Sequence, residues 1–119
     1  MPSSDPVQRF RDILQNVDRI ENHTAGLDCT SFLEDHKTYD AVERCLERIS
    51  EAAAKLAGVA EDMCPDIPWP EIRSLGNFLR HEYDRIERER LWLVVERDLT
   101  PLKGAVLSAL SRLRKSQET

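Results

Sequence analysis

The sequence predicts an all-α protein, an antiparallel helical bundle of four to five helices. Apolar residues recur at i, i+3 and i+4 through most of the chain. Only four glycines are present, which leaves little room for hairpin turns. The breaks between periodic segments are short, and short connections favour antiparallel neighbours. At 119 residues the chain supports one core and not two, so residues 1–119 are read as a single domain.

Asp5 followed by Pro6 is a helix start, an N-cap with proline at the first helical position. Val7, Phe10, Ile13, Leu14, Val17 and Ile20 then keep the helical rhythm, giving a first helix over about 6–23 with a stop at Gly26. Ser31-Phe-Leu-Glu34 has capping-box spacing and opens a short turn. Val42, Cys45, Leu46, Ile49, Ala53 and Leu56 carry a long amphipathic helix that ends near Gly58, and the alanines at 52–54 allow another helix to come close. The segment Cys64-Pro-Asp-Ile-Pro-Trp-Pro70 is a structured connector, because its prolines remove donors and push their predecessors towards extended geometry. Trp69 is expected to pack.

Pro70 opens a third long helix. Gly76 inside it costs up to ~1 kcal/mol of helix propensity against alanine. Close approach by another helix, across a dimer axis or otherwise, is one explanation; tolerated drift is the other. Asp84-Arg-Ile-Glu-Arg-Glu-Arg90 reads as a solvated run of alternating charge spanning a helix junction. Leu91, Trp92, Val94, Val95 and Leu99 begin a further buried helix, and Thr100-Pro101 caps a fresh start or kinks it before Leu102, Val106, Leu107, Leu110 and Leu113. Arg112, Arg114 and Lys115 favourably oppose the helix dipole at the C-terminal end.

The third long helix carries the most informative pattern. At ~100° per residue, Arg73, Asn77, His81 and Arg85 step along one side, opposite Ile72, Leu75, Leu79, Tyr83 and Ile86. Histidine exchanges a proton near neutral pH and arginine contacts phosphate bidentately, so the stripe suits proton transfer beside a held phosphate. Polar stripes are also the ordinary solvated faces of surface helices.

Composition narrows the partners. A net charge of −5 and a pI near 5.2 have the wrong sign for nonspecific coating of nucleic acid. A confined positive groove remains open through Arg73, Arg80, Arg85 and Arg88. Cys29, Cys45 and Cys64 are read as free thiols, because their number is odd and their spacings are wide. Histidines 23, 36 and 81 lack ligand spacing, so no metal and no cofactor is implied. No apolar run approaches the ~20 residues of a membrane helix, and the start Met-Pro-Ser-Ser-Asp lacks a secretory core. A cytoplasmic location is expected.

The segment Ile67-Pro-Trp-Pro-Glu-Ile-Arg-Ser-Leu-Gly-Asn-Phe-Leu-Arg-His-Glu-Tyr83 resembles the signature of the HepT-like toxins of the HEPN superfamily. Arg11–Glu21, Thr24–Leu27, Ser31–Glu34, Asp40–Ala54 and Glu96–Leu102 resemble the family in the same order, so the likeness covers nearly the whole chain. It implies a HEPN-like bundle, a homodimer with the motif helices facing across a cleft, and metal-independent cleavage of RNA. The implied roles are general acid or base for His81 and orientation for Asn77. The resemblance further implies a MntA-like nucleotidyltransferase antitoxin that adenylylates Tyr83. A tyrosine at that azimuth is also an ordinary packing residue.

One departure stands out: the motif arginine is replaced by Gly76. With Gly76 as zero azimuth, Arg73 falls at ~60° and Arg80 at ~40°, with His81 at ~140°, so Arg73 or Arg80 is the candidate to stabilise charge in its place. The alternative is a non-catalytic HEPN dimer, a binding partner of a nucleotidyltransferase whose ribonuclease site has degenerated.

Overall fold

In the computed structural model, which describes residues 5–79 and 85–118, the chain is a bundle of α-helices: α1 (Pro6–Thr24), α2 (Cys29–Glu34), α3 (His36–Leu56), α4 (Gly58–Met63), α5 (Trp69–Phe78), α6 (Arg85–Leu93) and α7 (Leu99–Glu118). A π-helical turn, Val94–Asp98, joins α6 to α7 without a break. The described residues contain no strand.

Local chemistry starts the first three helices. The Asp5 carboxylate accepts from the Gln8 N–H at 3.1 Å, with Pro6 in the first turn where its missing donor costs nothing. Thr24 closes α1 by donating to the Ile20 carbonyl at 2.8 Å, and Gly26 (φ 79°) turns the chain. The next start differs from expectation. The capping box is built on Asp28, not on Ser31: the Asp28 carboxylate accepts from Ser31 N–H at 2.8 Å while Ser31 Oγ accepts from Asp28 N–H at 2.9 Å. A carboxylate outcompetes a hydroxyl as the acceptor, so Ser31 takes the third helical position. Asp35 then caps α3 through Thr38, by its N–H at 3.0 Å and its hydroxyl at 2.7 Å.

The core lies where α1 packs on α3 and α7, and α3 on α5. Phe10, Ile13, Val17 and Ile20 of α1 meet Val42, Leu46, Ile49, Ala53 and Leu56 of α3, and all are buried. Leu99, Leu102, Val106 and Ala109 bring α7 onto the same core. Trp69 is fully buried, as the proline-rich connector led us to expect, and its indole N–H donates to the Cys64 carbonyl at 2.9 Å. That bond fixes the connector and sets the angle at which α5 leaves it. Lys103 ties α7 to α1 through Glu21 (2.8 Å) and Asp18 (3.2 Å).

Pro101 neither starts a new helix nor breaks the old one. In a regular helix it would offer no N–H to the Arg97 carbonyl and would press its ring against it. The π turn at 94–98 shifts the hydrogen-bond register just upstream and absorbs that conflict. The helix therefore continues to Glu118.

Candidate active site

α5 is shorter than its periodicity suggested. It ends at Phe78, with Leu79 in a closing turn whose N–H donates to the Leu75 carbonyl at 2.9 Å. Gly76 lies in its last turn and weakens it. The azimuths drawn for a helix running on to residue 86 are met by the described residues as far as the end of α5. Arg80, His81 and Tyr83 lie outside the described residues.

Arg73, on the second turn of α5, reaches across to the C-terminal end of α3. Its Nε–H donates to the Ala53 carbonyl at 3.1 Å and Nη2 to the Ala57 carbonyl at 2.7 Å. Nη1 and Nη2 grip the Glu61 carboxylate at 2.8 and 2.6 Å. Four of the five guanidinium N–H groups are thus engaged by its own chain. The arrangement follows from the end of α3. The Ala57 N–H bonds the Ala54 carbonyl at 3.2 Å, so the Ala53 carbonyl needs another donor. Ala57 itself has φ 49°, a conformation that costs an alanine of order 1 kcal/mol or more. Arg73 satisfies the carbonyls on both sides of this turn. The hydrogen bond from Arg73 is also the main cause that holds the Glu61 carboxyl below its ordinary pKa, assisted by the guanidinium charge.

Gly76 is buried against α3, where Ser50 occupies the contact. Ser50 Oγ donates to the Arg73 carbonyl at 2.8 Å and accepts from the Gly76 N–H at 3.2 Å. A Cβ at position 76 would stand 3.2 Å from that oxygen and 3.9 Å from Ser50 Cβ. Of the two explanations for this glycine, the structure gives close approach by another helix, and that helix is α3 of the same chain. Asn77, one residue on, is exposed.

A double-mutant cycle tests the contact. Gly76→Ala gains about 1 kcal/mol of helix propensity but displaces Ser50 Oγ from two hydrogen bonds worth about 1 kcal/mol each. We expect Gly76→Ala to destabilise by about 1 kcal/mol in the native background. In a Ser50→Ala background, where only the 3.9 Å contact remains, the same change should become stabilising. Urea unfolding of the four proteins reads the sign.

The flank of α5 away from Arg73 borders an apolar cavity of about 390 Å³, lined by Leu46, Ile49, Ile72, Leu75, Leu91 and Leu99 among others. Asp66, Glu71 and Asp98 also line it beside Arg90, and three carboxylates against one cation do not suit phosphate. Among the described residues no three His, Cys, Asp or Glu side chains converge on a common point, and no helix is long and apolar enough to cross a membrane. All three cysteines are free thiols, with Cys45 and Cys64 buried.

Two residues that position α5 escaped sequence reasoning. Glu61 is twelve residues from Arg73 and sits on a different helix, so no local spacing pairs them. Ser50 did leave a signal, a polar residue on the otherwise apolar face of Leu46, Ile49 and Ala53.

The site joins an all-α bundle to a helix that leads from a buried Pro-Trp connector into an Asn-x-x-x-His-x-Tyr run. That combination defines a HEPN-type protein. The family model "Ribonuclease HepT-like" matches residues 13–109, and the chain belongs to this family. It is 36% identical over 95 residues to "Probable ribonuclease HepT" of Thermococcus cleftensis, covering 80% of this chain and 86% of that protein. Two proteins of Methanocaldococcus jannaschii, each named as a candidate RNase, are 32% and 36% identical over 95 residues, with 87% and 78% of their own lengths covered. No solved structure matches the chain.

Proposed function

We propose that the protein is the toxin of a toxin–antitoxin pair, an RNA endonuclease that works without a metal ion and is silenced by a MntA-like nucleotidyltransferase. The observation that carries this reading is the family match over residues 13–109 together with the retained Asn77, His81 and Tyr83 of the signature. In this scheme His81 handles the proton of the attacking 2′-hydroxyl or of the leaving oxygen. Asn77 orients the imidazole or the phosphate. Charge on the phosphate falls to Arg80, because the Arg73 fork is already engaged by Ala53, Ala57 and Glu61. Arg73 then acts as a positioning residue that fixes α5. A homodimer would bring two copies of the motif to one cleft, with RNA held in a local groove. The expected setting is the cytoplasm.

Silencing would come from adenylylation of Tyr83, which adds a phosphate charge beside the site and repels the RNA backbone. The test is incubation with a nucleotidyltransferase partner and ATP before the addition of RNA. The native protein should gain AMP and lose RNA binding, whereas Tyr83→Phe should do neither. Unchanged binding by adenylylated protein would sink the blocking mechanism.

One observation favours a second reading, the non-catalytic HEPN dimer that serves a nucleotidyltransferase as binding partner. Gly76 stands in place of the motif arginine and is closed off against Ser50. Cleavage separates the two readings; binding does not.

A further inference from the structure

A further cavity, open to the surface and of about 290 Å³, lies where α2, the start of α3 and α6 meet, lined by Thr30, Leu33, Glu34, His36 and Arg88. The Arg88 Nε is buried and meets no acceptor, Glu34 included. Buried N–H groups are almost always paired, and leaving one unpaired is costly, so such a donor needs an explanation. Arg88 belongs to a run that otherwise reads as solvated charge, yet the residue is half-buried and its Nε is out of solvent.

Aromatic contacts join the elements that form the walls. Phe32 of α2 packs its ring against Tyr39 of α3 at 5.4 Å and Trp92 of α6 at 5.1 Å between centroids. These are the three helices that supply Thr30 and Leu33, His36, and Arg88 respectively. A guanidinium, an imidazole and a hydroxyl therefore line one cavity, and all three can donate to an anion. Glu34 is the one acidic group in the lining. In a chain of net charge −5, an anion site needs a local cation, which Arg88 supplies.

We propose that Arg88, with His36 and Thr30, forms a phosphate site that holds a backbone phosphate of RNA. This rests on RNA being the substrate. The guanidinium fork takes the two non-bridging phosphate oxygens, satisfying Nε–H, and His36 and Thr30 donate to further lone pairs of the same two oxygens. Glu34 at the rim opposes the anion and limits affinity.

The test uses a short fluorescein-labelled single-stranded RNA, followed by anisotropy over a potassium chloride series, and inorganic pyrophosphate, followed by NMR of the His36 ring. Arg88→Gln should weaken RNA binding about tenfold and make the slope of log K against log salt shallower by about 0.7, one phosphate contact on a single strand. Arg88→Lys should recover part of the affinity, and Glu34→Gln should tighten binding. Pyrophosphate should shift the His36 ring signals in the native protein and not in Arg88→Gln. Because an unpaired buried donor is removed, the melting temperature of Arg88→Gln should hold or rise; a fall would mark a structural role and count against the proposal. Native affinity and slope in Arg88→Gln would overturn it, as would a His36 ring indifferent to pyrophosphate. If the native protein bound no RNA while the Arg88-dependent pyrophosphate response persisted, the phosphate site would stand and the RNA assignment would fall.

Discussion

Arg73→Ala should lower the stability of the fold by about 2–4 kcal/mol, the largest loss expected from any single polar side chain on α5. The substitution strips the Ala53 and Ala57 carbonyls of their donor at the end of α3 and leaves the Glu61 carboxylate without its fork. Part of the loss comes from the Ala57 turn, whose φ of 49° is held in place by the bond from Nη2. Arg73→Lys should recover only a fraction, because an ammonium point charge cannot serve two carbonyls and a carboxylate in one plane. Acid should mimic the loss in part. The folded-state pKa of Glu61 lies below its ordinary value, so the pairing contributes fully above that ordinary value and is lost as pH falls through the folded one. Urea unfolding at neutral and acidic pH measures both effects. If Arg73→Ala matched the native protein at neutral pH, the clamp would have no energetic role.

His81→Ala should reduce RNA cleavage by about 10²–10⁴-fold while leaving stability and RNA binding near native, because it removes proton transfer and little else. Arg80→Ala should also lower turnover, through lost charge stabilisation at the phosphate. Arg73→Ala differs in kind: its loss of cleavage should track its loss of fold, and conditions that restabilise the protein should restore activity. These three signatures separate a proton carrier, a phosphate holder and a positioning residue. The pattern would fail if Arg73→Ala lost turnover while fully folded, for then its last free N–H would be at work on the substrate.

The bundle was legible in the sequence wherever the decisive interaction was local. Asp5 with Pro6, the apolar rhythm of α1 and α3, and the buried Trp69 between prolines all follow from neighbours within a few residues. Other helix boundaries were not. Asp28 and Ser31 compete for the same cap, and the winner is set by which side chain accepts better. Pro101 could be read as a start or a kink, and the π turn that accommodates it leaves no composition signal of its own.

The same division runs through the site. His81, Asn77 and Tyr83 stand out as a motif because their spacing is short, and it was this spacing that pointed to the family. The engagement of Arg73 is invisible at that range: its partners are 12 to 20 residues upstream. Gly76 carried a hint of close approach, but the helix that approaches, and the serine that makes the contact, come from residue 50.

On the proposed function, this chain cleaves RNA through His81 although glycine replaces the motif arginine. The most direct measurement is fragment formation from total cellular RNA, in the presence of a chelator, by the native protein and by His81→Ala of matched fold. The account predicts fragments from the native protein alone. Intact RNA with both proteins, or equal cleavage by both, would contradict it.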